Sequence, residues 1–291
     1  MTINNNFRNF ENVTLTPLNN VNYKDNVSNL NIRQDFIKLS SPLELFGNIR
    51  NNQINFFNVN KEIIEGNISS KTIQAVKNIP GDFWIGKLRS NGNREVAIIV
   101  PNNIDKNKPV EILYYFHGHN GTIDKALSNN GNGFSEELKE IAQRKNLVIV
   151  IPQGPPKQIS YTWMRTSNGE DIEQFQNETI NIIKTKLTNN INISKISVYG
   201  HSAGGQPIMN ATLSNKLKAD KITFLDASYG TWASKTYHYF IKQNPNVIFN
   251  IVYIPGTSTE KDVKNLQGKK GVITYISKYN HGLVPKKFIG L

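Results

Sequence analysis

A serine enclosed by glycines, where an apolar segment ends, constrains the fold of this chain more than any other feature. The segment is VYGHSAGG at residues 198–205, and Ser202 is its serine. A serine on a sharp strand-to-helix turn has a strained backbone, and a Cβ atom at either flanking glycine position would crowd it. Glycine occupies both positions, Gly200 and Gly204. The pattern predicts a strand, a tight turn that exposes the Ser202 hydroxyl, and then a helix.

The residues on each side of this turn have the required patterns. Residues 195–199 are rich in β-branched and apolar side chains, which favours a strand, and residues 206–213 have the composition of a helix. A Gly-x-Ser-x-Gly sequence also occurs by chance, but the strand before it and the helix after it are what a nucleophile turn needs. We therefore interpret Ser202 as a candidate nucleophile.

From residue 81 onward, apolar strand patterns alternate with helical ones, which is typical of a mostly parallel sheet covered by helices on both faces. The connection at residues 90–93 predicts that the first two strands form a hairpin at the sheet edge. Eight strands are expected, at residues 82–88, 94–100, 110–116, 147–151, 196–199, 222–225, 247–253 and 272–276. Helices are expected at residues 135–145, 171–188, 206–217, 233–243 and 259–266.

The first part of the chain has a different composition. Residues 1–80 are rich in asparagine and poor in apolar runs, so we expect a partly ordered N-terminal extension before a catalytic domain at residues 81–291. Two short helices are predicted in the extension, at residues 33–45 and 69–78.

Composition excludes several classes of function. The chain has no cysteine, so it has no disulfide, no thiolate metal site and no cysteine nucleophile. No apolar run is long enough for a transmembrane segment. The formal net charge is +12, but the lysines are scattered and form no basic stripe with interleaved aromatic residues. We therefore expect no nucleic-acid partner, whereas an anionic cell-surface polymer fits the charge.

The start of the sequence lacks a basic segment followed by an apolar one. We interpret it as the start of a mature secreted or cell-surface protein from which a signal peptide has been removed. A cytoplasmic protein is the alternative.

Nucleophilic catalysis by serine needs a histidine base and a carboxylate that orients it. Of the five histidines, His281 follows the last predicted strand, where the chain order serine, acid, histidine places the base. His201 precedes the serine, and we expect it to pack or hydrogen-bond beside it. His238 fits the face of a helix.

The carboxylate has two candidate positions. Asp226 directly follows an apolar strand, which places it at the carboxyl edge of the sheet. Glu260 and Asp262 follow the next strand, the commoner position in this architecture, although Thr259 with Asp262 also fits a helix-capping box. Asp226 has no such structural explanation, so we favour it and leave the loop acids open.

A second motif, YYFHGHNG at residues 114–121, ends another apolar strand. A glycine after the strand lets the backbone turn an amide toward the site, and an oxyanion hole needs two such donors. The expected donors are the amides of Ala203 and His119, with Asn120 as the neighbouring alternative. The spacing of His117 and His119 also permits zinc binding, but no carboxylate stands at ligand spacing, so no metal is expected.

Three aromatic residues on connections at the same sheet edge are candidate walls of a substrate pocket: Trp163, Tyr229 and Trp232. Tyr237 is a fourth candidate. Each of these side chains fits the hydrophobic core equally well.

Three motifs in order, YFHG at 115–118, IPQG at 151–154 and GHSAGG at 200–205, resemble those of α/β-hydrolase esterases related to feruloyl esterases and polyhydroxybutyrate depolymerases. The resemblance covers residues 81–291. The segments LDASYG at 225–230 and HGLVP at 281–285 also resemble bacterial hydrolases with a Leu-Asp-Ala-x-Tyr-Gly signature, which supports Asp226 as the acid.

The resemblance implies a serine hydrolase that cleaves small-molecule or polymer-linked carboxylic esters through a Ser-His-Asp triad and an acyl-enzyme, without a cofactor. Its triad would be Ser202, Asp226 and His281. A serine peptidase or amidase on the same fold is one alternative. A non-catalytic binding protein on a hydrolase scaffold is another, and it predicts triad atoms beyond hydrogen-bond reach of one another.

Overall fold

The computed structural model describes residues 60–155, 163–165, 169–189 and 191–291. The described strands are β1 (Glu62–Ile64), β2 (Gly81–Leu88), β3 (Arg94–Pro101), β4 (Val110–Phe116), β5 (Leu147–Pro152), β6 (Ile193–His201), β7 (Lys221–Leu225), β8 (Ile248–Tyr253) and β9 (Val272–Ile276). They form one sheet in the order β1-β2-β3-β5-β4-β6-β7-β8-β9. β3 runs antiparallel to both of its neighbours, and every other pair is parallel.

Helices cover both faces of this sheet. They are α1 (Ser70–Val76), α2 (Ile123–Ala126), α3 (Ser135–Arg144), α4 (Ile172–Ile182), α5 (Gly205–Leu213), α6 (Trp232–Gln243), α7 (Ser258–Lys264) and α8 (Val284–Phe288). A π-helical turn at Ile183–Leu187 continues α4. The apolar faces of α4 to α7 pack into one hydrophobic core, and those of α1, α2, α3 and α8 pack into a second. No helix among the described residues has the length and apolar character needed to cross a membrane.

Alternate residues of the central strands enter the two cores. Val198 of β6 packs in the first core and Tyr199 in the second, and Ile98 and Ile99 of β3 are divided in the same way. Every residue of β5 is buried, as expected for a strand that is covered on both sides. The predicted mostly parallel sheet with helices on both faces is therefore confirmed, and all eight predicted strands are present with bounds shifted by at most a few residues.

The N-terminal boundary of the sheet differs from the prediction. β1 pairs with β2, and Val76 of α1 is fully buried, so this part of the predicted extension lies in the same compact unit as the sheet. That unit runs from Asn58 to Leu291. The β2–β3 hairpin is present, but β1 and not β2 forms the edge of the sheet. The helix predicted at residues 33–45 lies outside the described residues.

The residues that follow α8 are bound to the strand that leads to Ser202. Tyr199 of β6 donates its hydroxyl to the carbonyl oxygen of Leu291, and Lys221 Nζ donates to the same oxygen at 2.5 Å. Lys221 Nζ also lies 3.6 Å from Glu111 Oε1. These contacts connect the residues after α8 with β6, which ends next to Ser202, and with β7.

Lys221 is only 4% exposed, which is unusual for a lysine. Burial lowers the pKa of its ammonium group to about 8, against the opposing attraction of Glu111. Lys145 and Lys195 lower the pKa further by repulsion. The folded state therefore releases this proton at a lower pH than the unfolded state does.

A pH dependence of stability follows from Lys221. Between about pH 8 and the ordinary lysine value of 10.5, the unfolded chain binds a proton at Lys221 that the folded chain does not. The contribution of Lys221 to the free energy of unfolding therefore increases with pH between these two values. Urea unfolding of the wild type and of Lys221→Met, at about pH 7.5 and about pH 10, measures this contribution. We expect the wild type to gain stability relative to the variant at the higher pH, and a constant difference would contradict the assignment.

Candidate active site

The register of the parallel strands brings the candidate residues to one edge of the sheet. Phe116 of β4 pairs with Gly200 of β6, and Gly200 pairs with Phe224 of β7. The three strands therefore end at nearly the same level. The turn that follows β4, Ser202 after β6 and Asp226 after β7 all lie at this edge.

Ser202 occupies the sharp turn that the sequence predicts. It follows β6 directly, begins a short 3₁₀ turn (Ser202–Gly204) and has a φ of 53°, which costs a residue with a side chain about 1 to 3 kcal/mol. A Cβ atom at Gly200 would lie 2.5 Å from the carbonyl oxygen of Gly204, and one at Gly204 would lie 2.1 Å from that of Phe116. Both flanking positions therefore require glycine.

His281 and Asp226 are brought together by a short hydrogen bond. His281 Nδ1 donates to Asp226 Oδ2 at 2.6 Å, and the hydroxyl of Thr259 donates to Asp226 Oδ1 at 2.5 Å. Asp226 is 2% exposed and follows β7 with a φ of 47°. Burial raises the pKa of this carboxyl, but the hydrogen bonds from His281 and Thr259 outweigh it, and the pKa lies below its ordinary value. Asp226 is therefore a buried carboxylate.

The alternative acids are engaged elsewhere. Asp262 accepts hydrogen bonds from the backbone amides of Ala233 and Ser234, at 2.8 and 3.0 Å, and so caps the first turn of α6. Glu260 accepts from the amide of Gly256 and pairs with Lys264 at the surface. The capping box expected from Thr259 and Asp262 is wrong, because Asp262 caps a different helix and Thr259 binds Asp226.

Ser202 and His281 are both partly exposed at this edge. Within the described residues, no hydrogen bond joins the Ser202 hydroxyl to the imidazole of His281. His201, the residue before the serine, contacts His281 instead, with ring centroids 4.6 Å apart. Hydrogen bonds between catalytic groups are often long without substrate and shorten in its presence.

The turn after β4 packs directly against Ser202. The amide of Gly121 donates to the carbonyl of Gly118 at 3.0 Å, and Asn120 within this turn has a φ of 59°. A Cβ atom at Gly118 would lie 2.7 Å from that of Ser202. The amides of His119 and Asn120 are therefore carried by a turn in close contact with the serine. The role of the His119 or Asn120 amide as one oxyanion donor, and of the Ala203 amide as the other, stays a prediction.

His117 stabilises this turn through hydrogen bonds. Its Nε2 accepts from the amide of Gly154 at 2.8 Å and from Gln153 Nε2 at 3.1 Å, and its Nδ1 donates to the carbonyl of Gly118 at 2.8 Å. Burial lowers the pKa of His117 to about 4, so the ring is neutral. Both ring nitrogens are occupied, which leaves His117 no lone pair for a metal. The described residues also contain no cluster of three metal-binding side chains.

Sequence reasoning missed the roles of Gln153, Gly154 and Thr259. The IPQG motif was a signal for the first two, because Gln153 and Gly154 are the hydrogen-bond donors to His117. Gln153 also binds the amide of Ile123 at the start of α2. No local pattern identified the contact between Thr259 and Asp226, which joins the first turn of α7 to the end of β7.

The aromatic candidates divide into two groups. Tyr229 and Trp232 are partly exposed and form an edge-to-face pair with ring centroids 5.6 Å apart. The centroid of the Tyr229 ring lies 6.4 Å from that of His281. Trp163 is 1% exposed and packs on the ring of His117. Tyr237 is buried against Phe249. A place for Trp163 or Tyr237 in the wall of a substrate pocket stays a prediction.

No family model and no curated protein sequence matches this chain. Among solved structures, an S-formylglutathione hydrolase from Agrobacterium tumefaciens is 12% identical with a TM-score of 0.50, over 72% of this chain and 91% of that one. A ferulic acid esterase is 12% identical with a TM-score of 0.51, over 73% of this chain and 96% of that one. Likeness at such low identity is evidence of a shared fold. The chain has the α/β-hydrolase fold, in agreement with the resemblance in its sequence motifs.

Proposed function

We propose that this chain is a serine hydrolase that cleaves carboxylic esters through an acyl-enzyme intermediate. The observation that supports it most is the hydrogen bond from His281 to the buried carboxylate of Asp226, at the sheet edge where Ser202 stands on its strained turn. Solved structures of the same fold include an S-formylglutathione hydrolase and a ferulic acid esterase, which is consistent with this chemistry.

In the proposed reaction, Ser202 Oγ attacks the ester carbonyl carbon while His281 Nε2 takes the hydroxyl proton. The tetrahedral intermediate collapses, the bond to the alcohol oxygen breaks, and His281 returns the proton to the leaving alcohol. Water then attacks the acyl carbon with His281 again as the base, the bond from that carbon to Ser202 Oγ breaks, and His281 returns the proton to Oγ as the carboxylic acid leaves. The bond from Nδ1 to Asp226 fixes the tautomer that leaves Nε2 free to accept the proton.

Asp226 suits the role of the group that orients His281 because it is buried and nevertheless ionised. Oδ1 of Asp226 accepts from the hydroxyl of Thr259, and Oδ2 accepts from Nδ1 of His281. Rotation of the carboxylate would therefore break both hydrogen bonds. A fixed carboxylate stabilises the imidazolium that forms in the transition state. The proposed oxyanion donors are the amides of Ala203 and His119, with Asn120 as the alternative.

The proposed substrate site lies beside the partly exposed pair Tyr229 and Trp232. An apolar acyl or alcohol group that packs there would place its ester carbonyl next to His281. Esters of small molecules and ester groups on an anionic cell-surface polymer both fit an open site on a chain with a net charge of +12.

One observation favours a second candidate, a non-catalytic binding protein on a hydrolase scaffold. Among the described residues the Ser202 hydroxyl makes no hydrogen bond to His281, as that alternative predicts. The short bond between His281 and Asp226 argues against it, because a binding protein has no need of an oriented base. The reactivity of Ser202 separates the two candidates.

Replacement of Ser202 tests the nucleophile. We expect Ser202→Ala to fold normally, to lose labelling by a fluorophosphonate probe, and to hydrolyse a nitrophenyl ester about 10⁴- to 10⁶-fold more slowly. Ser70→Ala, at an exposed serine of α1, is the matched control and should behave as the wild type. A wild-type chain that is neither labelled nor active would refute the proposal. Hydrolysis of an anilide without hydrolysis of the ester would favour the peptidase or amidase alternative.

Replacement of Asp226 tests the choice of acid. Asparagine tolerates the positive φ at this position, so Asp226→Asn should keep the fold, and the wrong imidazole tautomer should lower kcat about 10³- to 10⁴-fold. Glu260→Gln removes the charge of a loop acid that does not contact His281 and should leave kcat unchanged. The comparison is steady-state hydrolysis of one ester by both variants. The opposite pattern would assign the acid to the loop.

A further inference from the structure

His201 makes two separate contacts with His281. Its Nε2 lies 3.0 Å from the carbonyl oxygen of His281, and the two imidazole rings are tilted by 35° with centroids 4.6 Å apart. A carbonyl oxygen only accepts, so Nε2 of His201 carries the hydrogen. The same oxygen also accepts from the amide of Val284, at the start of α8. The backbone of His281 is thus held by the residue that precedes the nucleophile.

The charge state of His201 suits this position. Burial, and then the neighbouring His281, lower the pKa of His201 to about 3. The charged and titratable groups that act on it are His281, Asp226 and His117, and His117 is itself neutral. His201 therefore stays uncharged while His281 accepts a proton. A cation at this distance would oppose the imidazolium that the reaction requires.

Other contacts also hold the turn that carries His281. Asn280 caps it by accepting a hydrogen bond from the amide of Leu283 at 3.1 Å, and Asp226 accepts from Nδ1 of the His281 ring. Neither Asn280 nor Asp226 adjoins Ser202 in the chain, whereas His201 is covalently joined to Ser202 and hydrogen-bonded to the backbone of His281.

We infer that His201 is a positioning residue for the base: its Nε2–H anchors the backbone of His281 at a fixed distance from Ser202. This inference rests on the proposed function. In this inference the Nε2–H of His201 is the group that holds His281. The contact between the two imidazole rings is a consequence of that hydrogen bond. A side chain with a donor at the same reach should therefore replace histidine better than an aromatic ring without one.

Two variants of His201 distinguish the contribution of its N–H donor from that of its aromatic ring. Glutamine carries an amide N–H at a reach similar to that of histidine Nε2, whereas phenylalanine keeps a ring and has no donor. We expect His201→Phe to lower kcat about 10- to 100-fold with KM nearly unchanged, because a small displacement of a catalytic group costs rate. His201→Gln should keep most of kcat. His238→Phe, at an exposed histidine of α6, is the matched control and should match the wild type.

A spectroscopic readout makes the test independent of turnover. The proton shared by His281 Nδ1 and Asp226 should give a downfield NMR signal in the wild type, in His201→Gln and in His238→Phe. The signal should broaden or disappear in His201→Phe, at a temperature where circular dichroism shows all four proteins folded. Ser202→Ala should keep the signal.

The outcomes are distinct from those that test the proposed function. An active wild type with unchanged kcat and an unchanged signal in His201→Phe would overturn the inference and leave the hydrolase proposal intact. Equal losses in His201→Phe and His201→Gln, together with lower melting temperatures, would reduce His201 to a structural residue and also overturn it. If the wild type reacts with no fluorophosphonate, the hydrolase proposal fails, and the NMR signal alone decides whether His201 positions His281.

Discussion

Phe116 of β4 and Gly200 of β6 lie side by side in a parallel register, and the position of every group at the sheet edge depends on that alignment. Because neighbouring strands end at one level, the turn after β4 meets Ser202 and Asp226 without long connections. A register shift of one residue would move side chains to the opposite face of the sheet. His281 arrives from the last strand and is held by residues that this register has already aligned.

The polar groups around the site differ in charge because their surroundings differ. His117 and His201 have pKa values of about 4 and about 3 because burial disfavours their charged forms. Asp226 is also buried, yet two hydrogen bonds keep it ionised. The result is a negative charge hydrogen-bonded to His281 and a neutral His201 imidazole against its ring. Asp226 is therefore placed to stabilise the imidazolium that forms at His281 in the proposed reaction.

Much of the fold and part of the site could be predicted from the sequence because those signals are local. Continuous apolar runs such as β5 indicate strands covered on both faces, and the glycines around Ser202 require a tight turn. β1 was missed because three residues are too few to show a period-two pattern. Contacts between residues far apart in the sequence left no local pattern, so the structure was needed to identify the partner of Thr259, the helix capped by Asp262 and the burial of Trp163.

The close approach of the two turns has a consequence for engineering the site. Around Gly118, Gly200 and Gly204 there is no room for a methyl group, so nearly every substitution there would displace Ser202 or the turn against it. The aromatic pair Tyr229 and Trp232 is partly exposed and belongs to a different connection. A mutant library at this edge of the sheet should therefore randomise the aromatic pair and preserve the glycines, where backbone atoms leave no space for a side chain.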